Sequence, residues 1–324
     1  GIAVIVDMVF NHATGNHSLE KLYGGYNNLK DNPYFNVTAP HTAAVFEDWN
    51  HSYTTTKEHL TRSLKHWLTE YKIDGFRMDL SHGFCGPNCN DRKSNVNYYY
   101  NNGVKAVASD AYFILEHWED QGGEKAGYVN NGMMCWENTN NAYSQVAMGW
   151  LKEGDALNNA NNDGYVSYVT SHDEQRPFWK AKKYGNGAIA TNEATRLGRI
   201  AATVGMCAML NGPQMFYMFD ELGYDYSFCS NASGAGDQND KAPYGSTQAQ
   251  PCHDTDAKPI PETKGWYTNA NRMNQYKKLG QLLQLRTKLA PSVFAGNPTS
   301  SDLASGKALR SVIWGSGNSR IFVV

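Results

Sequence analysis

The stretch Ile73-Asp74-Gly75-Phe76-Arg77-Met78-Asp79-Leu80-Ser81-His82 decides the fold of this 324-residue chain. It begins as a short apolar strand and ends with an arginine and an aspartate two residues apart. Because alternate side chains of a strand point to the same face, Arg77 and Asp79 should lie side by side. A neighbouring cation favours the charged form of a carboxyl group. We therefore predict an ionised Asp79 at a strand end, where a carboxylate in a site that excludes water can act as a nucleophile.

Three other stretches have the same design, an apolar run that ends in polar and acidic residues. They cover residues 7–12, 114–118 and 169–173. Apolar runs alternate with helical patterns along the chain, which implies a parallel sheet with right-handed crossovers. The notable polar residues stand at the C-terminal ends of the predicted strands, as on the active face of a (β/α)8 barrel. The predicted strands are 2–6, 73–78, 112–115, 132–136, 165–171 and 213–218, and the predicted helices are 56–71, 104–110, 142–151, 193–210 and 271–289.

The predicted fold class is α/β, a TIM (β/α)8 barrel with six of its eight strands present. The expected barrel residues are 1–12 and 54–290, and the irregular segment 13–53 is too long for an ordinary loop, so we interpret it as an inserted domain. Strand 2–6 is an unbroken aliphatic run, typical of a strand buried on both faces. Residues 291–324 are expected to begin a C-terminal all-β domain with a hairpin at 309–314 and 320–324. We expect the chain to be an internal fragment that starts at the third barrel strand.

Composition narrows the function classes. The 29 basic and 31 acidic side chains give a formal net charge of −2, which predicts no attraction to nucleic acid or to an anionic membrane. No run approaches the roughly 18 apolar residues of a membrane helix. The chain holds 20 Tyr and 8 Trp, and such aromatic content suits either a pocket for neutral sugars or a bulky core.

The six cysteines indicate two disulfide candidates. Cys85 and Cys89 bracket a Gly-Pro-Asn turn, and Cys229 and Cys252 flank a loop rich in Gly, Asn and Asp. Either pair could form a disulfide in an oxidising compartment. Zinc binding is disfavoured, because no second CxxC motif or His pair stands at ligand spacing. Two further cysteines lie in apolar runs and are interpreted as core thiols: Cys135 and Cys207.

The four stretches resemble, in order, the four short regions of glycoside hydrolase family 13, the α-amylase family. Residues 7–12 resemble the pattern D-x-V-x-N-H, and residues 75–79 match G-F-R-x-D. Residues 115–118 resemble the third region, with Leu where a Gly is common, and residues 171–173 match the fourth. Residues 212–221 resemble the eighth-strand segment. One motif alone is only suggestive, but four in order, each on a strand end, are a specific signal that spans nearly the whole chain.

The resemblance implies retaining hydrolysis of α-glucosidic bonds in starch, glycogen or maltooligosaccharides. That chemistry needs one ionised carboxylate to attack the anomeric carbon and one carboxyl group to protonate the leaving oxygen. Carried over, Asp79 is the nucleophile, Glu116 the general acid and base, and Asp173 the third carboxylate, which holds sugar hydroxyls. An isolated acidic residue at a strand end is usually a cap or a solvated loop residue. Three acidic residues, each at the end of a predicted strand and in the order of the family's motifs, favour the catalytic interpretation.

Further site residues follow from the same resemblance. Arg77 is expected to orient Asp79, with Asp7 supporting Arg77, while His12 and His172 bond sugar hydroxyls. His82 stands where the family often has a lysine that contacts the sugar on the leaving side. For His12 and His172 a purely structural role is the alternative, and two tryptophans could be sugar platforms or ordinary packing: Trp118 and Trp179.

The resemblance also implies a structural Ca²⁺ ion. Asn11 matches the family's calcium-binding asparagine, Asp48 lies where the inserted domain closes and an aspartate is a second ligand, and Gly83 would add a backbone carbonyl. Amide, carboxylate and carbonyl oxygens are ligands that calcium prefers. Such an ion would join the inserted domain to the barrel.

Several alternatives stay open. Within the same family, a transglycosylase or an α-1,6-glucan hydrolase would share the four regions. A barrel that has lost catalysis would be expected to lack one or more carboxylates, and all three are present. A dinucleotide-binding protein is disfavoured, because no Gly-rich phosphate loop follows any strand. The cysteine pairs and a polymeric substrate favour an extracellular or periplasmic setting.

Overall fold

The computed structural model describes residues 1–24, 28–150, 156–157, 161–236, 252, 255–294 and 296–324. The chain divides into two compact units, Gly1–Trp136 and Glu137–Val324. This division is independent of the boundaries predicted for the barrel, the inserted domain and the C-terminal domain, which stay predictions.

The first unit is built on parallel strands. Strands β1 (Ile5–Val9), β4 (Gly75–Asp79), β5 (Tyr112–Leu115) and the start of β6 (Met134–Asn138) pair in that order. The four apolar side chains on the alternating positions of β4 and β5 are at most 1% exposed, namely Phe76, Met78, Phe113 and Leu115. Burial of these side chains holds the carboxyl ends of the strands together.

The first strand differs from its prediction. It runs from Ile5 to Val9 instead of over residues 2–6, and Val4 and Val9 are 54% and 48% exposed. The expectation of burial on both faces was wrong. Within the described residues β1 pairs with β4 alone, so its aliphatic side chains are covered incompletely.

The inserted segment contains little regular structure. It holds a two-residue strand β2 (His12–Ala13), a helix α1 (Ser18–Leu22) and a strand β3 (Glu47–Asp48) that runs antiparallel to β2. The β2–β3 register places His12 opposite Asp48. A tilted aromatic pair, Phe35 and Trp49, is buried with its ring centroids 4.3 Å apart.

Three helices complete the first unit: α2 (Thr54–Glu70), α3 (Arg92–Tyr99) and α4 (Glu124–Asn130). The helix predicted over 56–71 is confirmed as α2, whose buried Leu60, Leu64 and Leu68 recur every fourth residue. The helix predicted over 104–110 was placed too late, since α3 begins at Arg92 and continues as a π-helical turn over Tyr100–Lys105. Aromatic residues have weak helix propensity, so the tyrosine run gave no helical signal.

The second unit combines helices with a parallel strand pair, β7 (Tyr165–Tyr168) and β8 (Gln214–Met215), in which Ser167 stands opposite Gln214. Strand β7 is shorter than the predicted 165–171, and the helix predicted over 193–210 is interrupted by a π-helical turn at Ala201–Gly205. The helix predicted over 142–151 is α5, and its predicted end at Leu151 lies outside the described residues. The helices of this unit are α5 (Asn140–Met148), α6 (Pro177–Tyr184), α7 (Ala188–Thr191), α8 (Glu193–Leu197), α9 (Met206–Met209), α10 (Pro261–Lys264) and α11 (Ala270–Gln284).

The end of the chain forms an antiparallel sheet. The predicted hairpin is confirmed as β10 (Ser311–Ser316) and β11 (Ser319–Val323), and β9 (Ser300–Asp302) pairs with β10. Trp314 is fully buried, and its indole donates to the Met209 carbonyl at 2.9 Å. This contact joins the sheet to α9.

Both cysteine pairs are disulfides, Cys85–Cys89 and Cys229–Cys252, while Cys135 and Cys207 are buried free thiols. The Gly- and Asn-rich loop closed by the second disulfide lies largely outside the described residues. Every helix within the described ranges is too short or too polar to span a bilayer.

Candidate active site

Arg77 is the centre of the site in the first unit. It lies in the middle of β4, opposite Asp7 of β1, and its Nη1 donates to Asp7 and to Asp79 at 2.8 Å each. Its Nη2 lies 2.8 Å from Glu116 Oε2. The prediction that Arg77 and Asp79 lie side by side is confirmed. Burial alone would lower the pKa of Arg77, but the charges of Glu116, Asp7 and Asp79 outweigh it and hold that pKa above its ordinary value.

The carboxylate of Glu116 lies directly after β5, is 2% exposed and is held by several donors. The backbone N–H of Leu80 donates to its Oε2 at 2.8 Å, and the indole of Trp118 donates to its Oε1 at 3.1 Å. Leu80 presents this N–H from a left-handed backbone conformation with φ of 43°, and residues other than glycine occupy that region at a cost in energy. The turn after β4 thus fixes the end of β5.

Two tryptophans flank this cluster in the first unit. The guanidinium of Arg77 lies 4.1 Å from the ring of Trp136, a cation–π contact that fixes its plane. Trp118 is 37% exposed and lies beside Glu116, as expected for a ring available to a ligand. Trp136 was missed in the sequence, because its position depends on the pairing of β6 with β5.

Two of the predicted substrate-binding histidines also belong to the first unit. His12 is half-buried, and burial lowers its pKa, although the charges of Asp79 and Asp48 oppose that effect. His82 is only 5% exposed and packs edge-on against the His117 ring, and burial lowers its pKa to about 4. A neutral His82 differs from the charged lysine that the family often has at this position. The sugar contacts of both histidines stay predictions.

The other predicted residues lie in the second unit, just after β7. The side chains of His172 and Asp173 are each 47% exposed, and His172 Nε2 lies 3.5 Å from Asp173 Oδ2. Glu174 anchors this turn, because it accepts hydrogen bonds from Ser171 N at 3.0 Å and Asn138 Nδ2 at 2.7 Å. The expectation that Asp173 completes the site with Asp79 and Glu116 stays a prediction.

Arg176 and Trp179 are buried residues of the second unit whose roles the sequence did not decide. Arg176 is 1% exposed, donates to the Ser171 carbonyl and lies 4.8 Å from the Tyr217 ring. It was missed, because nothing in its local sequence marks it as a support for the Asp173 turn. Trp179 is 2% exposed, so packing rather than a sugar platform describes it.

The three predicted calcium ligands lie in the first unit, but their oxygens are largely engaged. Both carboxylate oxygens of Asp48 carry hydrogen bonds at 2.7 Å, one from His41 and one from Asn36. The Gly83 carbonyl accepts from Cys85 N at 2.8 Å. Asn11 Oδ1 alone among them is buried without a hydrogen-bond partner. As arranged, these three residues offer too few free oxygen atoms for calcium, which binds six to eight oxygen ligands.

Acidic residues, histidines and cysteines supply no alternative metal centre here. Among the described residues, no group of three or more such side chains is arranged to hold a metal ion. Calcium binding stays a prediction, and it would require the contacts of Asp48 to rearrange.

No model of a known protein family matches the chain. Over 94 residues, or 27% of the chain, it is 31% identical to isoamylase 3, chloroplastic, from Oryza sativa subsp. japonica, of which it covers 12%. A pullulanase from Klebsiella pneumoniae, solved in complex with maltotriose, matches 98% of the chain with a TM-score of 0.65 at 18% identity, and the chain covers 38% of it. An α-amylase from Anoxybacillus matches 98% of the chain with a TM-score of 0.63 at 16% identity, and the chain covers 63% of it.

These matches define the class of fold. The described parallel strands and their crossover helices belong to an incomplete (β/α)8 barrel. The fold is that of the α-amylase family, glycoside hydrolase family 13, which confirms the fold class and the resemblance found in the sequence. The chain spans less than two thirds of the length of each of these three relatives.

Proposed function

We propose that this chain forms the catalytic part of a retaining glycoside hydrolase that cleaves α-glucosidic bonds in starch, glycogen or maltooligosaccharides. One observation carries the proposal, namely that Arg77 contacts Asp79 and Glu116 at the ends of neighbouring parallel strands. The α-amylase fold supports it. The maltotriose named for the pullulanase supports an α-glucan as ligand.

In the first step, a carboxylate oxygen of Asp79 attacks the anomeric carbon and the glycosidic C–O bond breaks. Glu116 donates its proton to the leaving oxygen. In the second step, Glu116 takes a proton from water, the water oxygen bonds to the anomeric carbon, and the ester to Asp79 breaks. The anomeric configuration is retained, because the carbon is attacked twice.

The surrounding residues prepare these two groups. Arg77 Nη1 donates to Asp79 at 2.8 Å and holds its carboxylate in position for the attack. The donors Leu80 N and Trp118 Nε1 hold both oxygens of Glu116, so that its position does not change between acid and base steps. Asp173, on the turn after β7, is proposed to hold sugar hydroxyls.

A second candidate is an α-1,6-glucan hydrolase of the same fold. The 31% identity to an isoamylase over 94 residues favours it. A transglycosylase would use the same two carboxyl groups, with a sugar hydroxyl in place of water.

The intact protein that contains this chain would be incubated with soluble starch and with pullulan, and reducing ends and product anomers would be followed. We expect α-anomeric maltooligosaccharides from starch and a loss of at least about 100-fold in kcat for Glu116→Gln, because general acid–base catalysis supplies about that factor. Glu58→Gln, which changes an exposed carboxylate of α2, is the matched control and should retain full activity.

Other outcomes would redirect the assignment. Cleavage of pullulan instead of starch would move it to the α-1,6 hydrolases. If the folded protein released no reducing ends from either glucan, the hydrolase proposal would be wrong.

The two disulfides support a further proposal, that the protein works in an extracellular or periplasmic compartment, since such bonds persist in oxidising surroundings.

A further inference from the structure

The imidazole of His41 lies among the three predicted calcium ligands. Its Nε2 lies 2.7 Å from Asp48 Oδ1, and the two side chains are each 2% exposed. A hydrogen bond between groups this deeply buried is shielded from water and therefore strong. His41 belongs to the irregular part of the inserted segment and carries no motif that would have marked it in the sequence.

The position of Gly83 shows how closely these groups meet. A Cβ atom added to Gly83 would lie 1.8 Å from Asn11 Oδ1, 2.7 Å from His41 Cε1 and 2.9 Å from His41 Nε2. Asn11 and His41 therefore press on the same side of the glycine. His41 Nε2 lies 2.7 Å from Asp48 Oδ1, close to the 2.3–2.6 Å at which a calcium ion would approach that oxygen.

One hydrogen bond already joins the end of β1 to the inserted segment, because Asn11 donates to the Ala43 carbonyl at 3.0 Å. Within the inserted segment, Asn36 donates to the second oxygen of Asp48 at 2.7 Å. With His41 on the first oxygen, the Asp48 carboxylate is held on both sides by the inserted segment itself.

We propose that the His41 side chain takes the place of a calcium ion and joins the inserted segment to the ends of β1 and β4, so that the folded protein needs no calcium. A ring N–H directed at Asp48 supplies the positive end of a dipole where a metal would supply a charge. This proposal does not rest on the proposed glycosidase activity, because it concerns how the segment is held.

The test is thermal unfolding of the intact protein followed by circular dichroism, in EDTA, in 5 mM CaCl₂ and in 5 mM MgCl₂. We expect the three Tm values of the unmodified protein to agree, and isothermal titration with CaCl₂ to show no binding. His41→Ala empties the space beside Asp48, so we expect a lower Tm in EDTA. Calcium should raise that Tm by at least about 1.5 °C, the size expected for a chain of this length when a bound ligand adds about 1 kcal/mol. Magnesium should act less, because it demands a tighter octahedral shell.

Two further variants complete the design. His41→Gln keeps an N–H donor and should remain insensitive to calcium, and His66→Ala removes an exposed histidine of α2 and should behave as the unmodified protein. A calcium-dependent Tm or calcium binding in the unmodified protein would overturn the proposal, and that measurement stands even if His41→Ala does not fold. A folded His41→Ala that ignores calcium would overturn it as well.

Discussion

At the scale of single residues, the site in the first unit depends on one guanidinium shared by three carboxyl groups. Arg77 fits this place because its planar fork presents two nitrogens at once, Nη1 to Asp7 and Asp79 and Nη2 to Glu116. A lysine ammonium is a single point and cannot reproduce this spacing.

We therefore expect Arg77→Lys to lower kcat by about 100-fold or more, since a small displacement of a catalytic group costs about that factor, with a smaller change in KM. Steady-state kinetics on maltooligosaccharides measures both. Asp7→Asn is the matched variant: it removes a partner of Arg77 whose side chain is 57% exposed, so it should cost less than tenfold. Equal losses from the two substitutions would contradict the supporting role assigned to Asp7.

The same residues show how far the sequence alone could lead. The pair of Arg77 and Asp79 was predictable, because a separation of two within a strand fixes a common face. The contact of Arg77 with Glu116 was not, since it depends on the register that places Arg77 opposite Ile114 of β5. His41 could not be found, because it reaches Asp48 across an irregular segment without periodicity.

At the scale of elements, the spacing of β4 and β5 decides whether Asp79 and Glu116 meet. Gly75 stands opposite Tyr112 in the paired strands, and a Cβ atom at Gly75 would lie 2.4 Å from the Tyr112 carbonyl oxygen and 2.8 Å from its Cα. These are backbone atoms, which cannot move aside without parting the strands. The glycine of the G-F-R-x-D motif is thereby explained by close approach of two strands.

Gly75→Ala should lower the free energy of unfolding by about 1–3 kcal/mol, the usual cost of overpacking, and lower kcat as well. Gly127→Ala, inside α4, places its Cβ 3.4 Å from the flexible end of Lys93 and should raise stability by up to about 1 kcal/mol through helix propensity. Urea unfolding of both variants gives the comparison. A Gly75→Ala protein as stable and active as its parent would show that the strands tolerate a wider spacing.

Helices and strands were predictable to different degrees. Strand β5 was predicted at its observed bounds, because a short aliphatic and aromatic run between turns has few other interpretations. Helix α6 was missed, although Pro177 at its first position is a common helix start. The error at β1 has another cause: burial depends on neighbours in space, and an aliphatic run does not say which of its faces will be covered.

At the scale of the whole molecule, buried neutral histidines make stability depend on pH. Burial lowers the pKa of His51 to about 3 and that of His117 to about 4. His51 is enclosed between Tyr99, whose hydroxyl lies 2.8 Å from its Nδ1, and the Phe10 carbonyl, 2.9 Å from its Nε2. When the chain unfolds, each imidazole regains its ordinary pKa of 6.5.

The unfolded state therefore binds more protons between these values, so the stabilising contribution is complete above pH 6.5 and is lost as the pH falls toward 4. Within that window, each histidine should lower the free energy of unfolding by about 1.4 kcal/mol for each unit by which the pH falls. We expect the free energy of unfolding from urea titrations to fall steeply from pH 6.5 to 5. In His51→Gln the slope against pH should be smaller by about 1.4 kcal/mol per pH unit, because one proton fewer is taken up on unfolding. The exposed His66→Gln serves as control, and an unchanged slope in His51→Gln would contradict the prediction.

The sharing of Arg77 has a consequence for the choice of buffers and inhibitors. One guanidinium faces three carboxyl groups, so acidic side chains outnumber the basic one in the first unit's site. Such a surplus attracts small cations. Protonated amines such as Tris would therefore compete with neutral sugars there, and a sugar mimic that carries a ring nitrogen would gain affinity from charge alone.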